Sequence, residues 1–189
     1  STFAVAALVL SACGGGSSAG TTSSDTGAAG ASSSAATSGK NITLMVGVKG
    51  DPFYVSMECG AKEAAAAAGA TLTTQGPDKF DATLQNPLLD AVAASKPDAL
   101  LVAPNDVKAS VGPLKKIQDA GSKVVLVDTV VDDTTIGVSR IATDNKLGGV
   151  KAAEALQTLG VPAKGKVLVS STNPGVSSVD ARVDGFKEK

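Results

Sequence analysis

The 189-residue sequence contains no histidine and no tryptophan, a single tyrosine, four phenylalanines and two cysteines. Without histidine the chain lacks the commonest general base and the commonest metal ligand, so the usual nucleophile–histidine hydrolase triads are excluded. Two thiols, Cys13 and Cys59, are too few for a disulfide framework or a thiolate zinc centre. Net charge is −1 with no basic stripe, which argues against nucleic-acid binding. Phosphate-binding motifs are missing as well. Neither Gly14–Gly16 nor Gly47 with Gly50 forms a Gly-x-Gly-x-x-Gly loop after a first strand, and no Walker-type Gly-Lys-[Ser/Thr] occurs. Gly175-Val176-Ser177-Ser178-Val179 opens like a nucleophile elbow but lacks the closing glycine. No cofactor, no metal and no enzymatic activity are predicted.

The N-terminal part is low in complexity. Phe3 to Leu10 is apolar but far shorter than the roughly 20 residues a spanning helix needs, and it reads as the end of a secretory signal peptide over residues 1–12. Leu10-Ser11-Ala12-Cys13 is similar to the bacterial lipobox, in which the cysteine is lipidated and becomes the mature N-terminus. From Gly14 to Gly39, twenty-five of twenty-six residues are Gly, Ser, Thr or Ala. Such a segment has nothing to bury, and as a flexible coil it reaches about 28 Å. Residues 13–40 are therefore expected to be a membrane tether carrying a lipid on Cys13.

From Asn41 the pattern alternates short aliphatic runs with helix-length amphipathic ones. Strands are predicted over 41–48, 70–76, 98–104, 123–131, 135–141 and 166–171. Helices are predicted over 53–69, 81–95, 106–121, 144–160 and from Ser177. Near-continuous aliphatic strands suit a sheet covered on both faces, and regular βα alternation implies a doubly wound parallel α/β sheet. Ligands of such sheets bind beyond the carboxyl ends of the strands. The residues there are rich in Asp, Asn, Ser and Thr, with the aromatic pair Phe53-Tyr54 and one arginine. Such groups hydrogen-bond hydroxyls and stack on a ring face, which points to a sugar. Asn105 and Asp106 fit either a pocket or a helix cap, and Cys59 reads as a small core residue.

Five segments in order, "GDPFYVSMECGAKEAAAAAGATL", "KPDALLVAPND", "AGSKVVLVDTVV", "IATDNKLGG" and "VSSVDARVDGF", resemble the type 1 periplasmic sugar-binding proteins of bacterial ABC importers. The resemblance covers Asn41 to Lys189. It implies two α/β lobes closing on a sugar, a first lobe over 41–141, and a crossing with the start of a second lobe over 142–189, whose larger part would follow Lys189. It therefore also implies unpaired strand edges and exposed apolar surface. By the same resemblance Asp51 bonds sugar hydroxyls and Phe53 stacks on the sugar. Tyr54 is a second ring, left open between stacking and core. Asp128 ends the fourth strand in the pocket, with Thr129 after it, and Asp180 and Arg182 are contacts from the second lobe. Thr129 stands where ribose binders carry Arg, and Ala103 where they carry Asn, so the pocket departs from a ribose site. The implied partners are a monosaccharide-like solute, an ABC permease, and the outer face of the bacterial cytoplasmic membrane through the lipid. The alternatives are the effector domain of a lac-repressor-type regulator, disfavoured by the N-terminus, and a sugar or quorum-signal chemoreceptor protein.

Overall fold

The computed structural model describes residues 39–162 and 164–189. The lipidation site expected at Cys13 and almost all of the tether lie outside them. The elements run β1 (Asn41–Met45), α1 (Pro52–Ala67), β2 (Thr71–Gln75), α2 (Ala82–Ser95), β3 (Ala99–Val102), α3 (Val111–Asp119), β4 (Lys123–Val127), β5 (Ser139–Ile141), α4 (Asn145–Thr158) and α5 (Ser177–Glu188). The five strands pair in the order β2-β1-β3-β4-β5, every pair parallel. The expected α/β class with a parallel sheet is thus the observed one.

The period-2 alternation of strand side chains divides the core in two. Met45, Leu100, Val102, Val124 and Leu126 face α2 and α3, where they meet Leu89, Val92, Leu114 and Ile117. Leu44 and Val46 face the other way, against Tyr54 of α1, with Met57, Ala61 and Leu72 packed alongside. Each fully buried Leu or Val stabilises the sheet by about 1.5–3 kcal/mol relative to exposure. The chain leaves β1 toward β2 on one side and returns to β3 on the other. The strand order thus reverses between β1 and β3, the place where ligands of such sheets bind beyond the carboxyl ends.

Three expectations are corrected. Residues 166–171 form no strand, and Leu168 is 92% exposed. The aliphatic run has strand propensity, but a strand needs a neighbour to pair with, and none of the described strands lies beside it. The third helix begins at Val111 rather than at 106, because Asp106 first closes a turn: its Oδ1 accepts from the N–H groups of Lys108 and Ala109. Cys59 is exposed rather than in the core, since it lies on the outward face of α1. Among the described strands β2 and β5 end the sheet. All three β5 residues are exposed, and Val138, Ile141 and Leu147 are among the large apolar side chains facing outward.

Candidate functional site

The site is built at the carboxyl ends of β1 and β4. Asp51 is the N-cap of α1; its Oδ1 accepts from Phe53 N–H at 2.9 Å, with Pro52 opening the helix behind it. The cap fixes the first turn, so the next two side chains diverge. Phe53 points outward, 52% exposed, while Tyr54 turns inward, 5% exposed. Their rings meet edge to face, with centroids 5.3 Å apart at 78°. Tyr54 also stacks on Phe80 at 6.4 Å and 27°. The choice left open for Tyr54 thus falls to the core.

Asp128 follows β4 with φ of +62°, a left-handed conformation uncommon outside glycine and asparagine. Its own N–H donates to Ile141 O at 2.8 Å, which ties that turn to β5. One carboxylate oxygen, Oδ2, accepts from the Tyr54 hydroxyl at 2.8 Å across 74 residues of sequence. The other accepts no hydrogen bond from the described residues. Burial pushes the Asp128 carboxyl above the usual carboxylate range; the Tyr54 hydroxyl and Arg182 pull it back, and Asp51 pushes it up again. The Tyr54 phenol is raised too, chiefly by burial and then by the Asp128 charge, so it stays a neutral donor. Phe53 and Asp128 line one cleft of about 400 Å³ together with Met57, Val127, Ile141 and Thr143. An apolar wall with one carboxylate is suited to a ligand that shows a C–H face on one side and hydroxyls on its edge.

The other expected residues divide. Arg182, in α5, is exposed, and its charge acts on Asp128. It also lines a second, mostly apolar cleft of about 340 Å³ with Leu156, Leu168, Val183 and Phe186. Asp180 stands in the first turn of α5, where its Oδ2 accepts from Gly175 N–H at 2.9 Å and holds the turn leading into that helix. Thr129 is corrected: it is 0% exposed, and its hydroxyl donates to Pro104 O at 2.8 Å. It ties the loop after β4 to the loop after β3 and presents no surface to the cleft.

One residue beneath the site escapes a reading confined to strand ends. Gln85 of α2 is fully buried. Its Nε2 donates to Ala103 O at 2.8 Å and its Oε1 accepts from Asn105 N–H at 2.9 Å, pinning the loop after β3. Asn105, expected at a cap or in a pocket, is buried instead and donates from Nδ2 to Gly47 O at 2.9 Å, joining that loop to the one after β1. The available signal was periodicity: Gln85 shares the buried helical face of Leu89, Val92 and Ala93. A glutamine on such a face needs polar partners, and loop carbonyls supply them.

The start of α5 is seated on these same loops. Ser177 Oγ accepts from Val130 N–H at 2.8 Å, Gly175 O accepts from Val107 N–H at 2.9 Å, and Asn173 Nδ2 donates to Phe80 O at 2.9 Å. Among the described residues no acidic or thiol cluster could hold a metal, and no helix is long and apolar enough to cross a membrane.

Comparison with known proteins accords with this geometry. Residues 42–189 match the family described as periplasmic binding protein domain. A D-ribose/D-allose-binding protein of Pseudomonas aeruginosa is 33% identical over 123 residues, 61% of this chain and 39% of its own length. An ABC transporter solute-binding protein from Agrobacterium vitis, solved with α-D-tagatopyranose, is 46% identical with a TM-score of 0.74, covering 79% of this chain and 53% of its own. Another from the same organism, with bound D-fucose, is 32% identical with a TM-score of 0.73, covering 78% and 52%. The chain spans about half the length of these solved relatives and less of the curated one. With the parallel sheet and a match over residues 42–189, the chain belongs to the periplasmic binding protein family of type 1.

Proposed function

We propose that this chain supplies the first lobe of a receptor that binds a monosaccharide and delivers it to an ABC permease. The observation that carries this reading is the single cleft shared by the half-exposed Phe53 ring and the Asp128 carboxylate. A pyranose or furanose lays its C–H face on Phe53, and its hydroxyls donate to the second oxygen of Asp128. Asp51, at the rim, offers its remaining carboxylate oxygen. Arg182 and Asp180 reach the ligand from α5, so that bonds from both sides reward the closed state over the open one. The sugars named for the relatives, tagatopyranose, fucose, ribose and allose, define the class of ligand to test. Ala103 and Thr129, the latter's hydroxyl spent on Pro104, disfavour ribose as the preferred member.

The protein acts at the outer face of the cytoplasmic membrane, held there by a lipid on Cys13 and the Gly/Ser/Thr/Ala-rich segment that follows. A thermal-shift screen of the full-length protein against D-tagatose, D-fucose, D-allose, D-ribose and D-galactose tests the reading. One or more of these raises the melting temperature in proportion to the logarithm of its concentration. A flat response to the whole panel contradicts it.

A further inference from the structure

The one tyrosine of the chain sits beside the ligand cleft yet shows it almost no surface. Its ring is enclosed by Leu44, Val46 and Ala103, flanked by Phe53 and stacked on Phe80. A ring so placed cannot stack on a sugar. Its one polar atom is spent on Asp128 Oδ2, at 2.8 Å. The surroundings are shaped for that hydroxyl. Gly47 lies against it, and a methyl group there would collide with both the Tyr54 hydroxyl and the Phe80 ring.

We propose that Tyr54 is the positioning residue of the sugar site: its hydroxyl holds one oxygen of Asp128, aims the other into the cleft, and keeps the carboxylate ionised and able to accept from the ligand. This rests on the sugar-binding reading above. Three features support it. Asp128 has an unusual left-handed backbone, and the Tyr54 hydroxyl is the side-chain donor that its carboxylate meets among the described residues. That donor comes from α1, the helix whose N-terminus also presents Phe53, so the stacking ring and the accepting oxygen are set by one rigid element. A phenol donating to a buried carboxylate stabilises its charged form against burial. The groups facing Asp128 are Tyr54 and Asp51 from the α1 end and Arg182 from α5; from β5 it meets the carbonyl of Ile141. Arg182 supports ionisation and Asp51 opposes it, which leaves the phenol as the fixed donor.

Tyr54→Phe keeps the ring and removes the donor. In the ligand-free full-length protein, the Asp128 carboxyl titration, followed by carbon-13 NMR, moves to higher pH in Tyr54→Phe. Replacement of Tyr54 by 3-fluorotyrosine, a stronger donor of the same shape, moves it lower. Phe80→Leu, which thins the same packing without removing a donor, leaves it in place. In calorimetry with the sugar that gives the largest thermal shift, Tyr54→Phe weakens binding at pH 7 roughly tenfold. It also shifts the acid limb of the binding profile upward. An unmoved carboxyl titration overturns the proposal whether or not any sugar binds. So does binding that is lost in Asp128→Asn but unaffected by Tyr54→Phe, an outcome that leaves the sugar-binding reading standing. A protein that binds no sugar of the panel removes that reading and with it the role of Tyr54 in binding, while the titration still decides the Tyr54–Asp128 link.

Discussion

Phe53 and Asp128 line one cleft with opposite chemistry. Phe53 is a large apolar ring left half-exposed where a helix N-terminus begins, and water is its poorest neighbour. Phe53→Ala is expected to weaken binding of the cognate sugar by more than about 1 kcal/mol through lost stacking, with little effect on folding; calorimetry reads the first and thermal melting the second. Asp128 costs the fold stability at neutral pH. Its folded-state pKa is raised above the unfolded value by burial, so its favourable contribution is complete below the ordinary carboxylate value and is lost as pH rises through the raised one. Asparagine cannot ionise, and it tolerates the left-handed backbone. Asp128→Asn should therefore melt close to the wild type at about pH 4 and above it at pH 7, while binding sugar more weakly. A melting difference that shrinks as pH rises contradicts this account. At this scale the strand-end placement of Asp51, Phe53 and Asp128 was legible in the sequence, because βα alternation sets the loops of a parallel sheet beyond the ends of its strands. The sequence did not reveal the role of Tyr54. Whether a ring at the second turn position faces water or core depends on the cap made by Asp51, and on a partner 74 residues away.

The elements were legible wherever pattern and pairing agree. The aliphatic runs of β1, β3 and β4 sit between two layers and pack on both faces, so composition alone marks them. The run Lys166 to Ser171 has a similar composition but pairs with none of the described strands. Propensity describes a residue, whereas a strand is a property of two segments. Between α4 and α5 the informative residues are glycines. A Cβ on Gly149 would strike the backbone of Arg182 and Phe186, and one on Gly185 would strike the backbone of Lys146. Backbone cannot move aside as a side chain can, so the two helices approach closely only because both positions are glycine. Gly149→Ala is expected to lower stability by about 1–3 kcal/mol by forcing α5 away from α4. Because the clash falls on Arg182 itself, the same variant should also weaken sugar binding. Chemical denaturation with calorimetry checks both, and an unchanged denaturation midpoint rules out the close approach.

At the scale of the whole molecule, the segment 173–177 bridges to the loops after β2, β3 and β4 through Asn173, Gly175 and Ser177. A receptor that works by closure needs such polar contacts, which form and break without exposing a dry core. The anchoring proposal stands apart from the site and has its own test. Cys13→Ser should move the protein from the membrane fraction to the soluble one while leaving sugar affinity unchanged; retention in the membrane fraction without detergent removes the lipobox reading. Fold class and family could be read from the sequence because they depend on repeated pattern over residues 41–189. Sugar identity could not, since hydroxyl stereochemistry is read by a few polar atoms whose directions are set only in three dimensions, as the inward turn of Thr129 demonstrates. The most direct test of the central claim is isothermal titration calorimetry of the full-length protein, its Phe53→Ala variant and its Asp128→Asn variant with the panel sugar that gives the largest thermal shift. Saturable one-site binding to the wild type, weakened in both variants, is expected. Binding that both variants leave intact would contradict that claim.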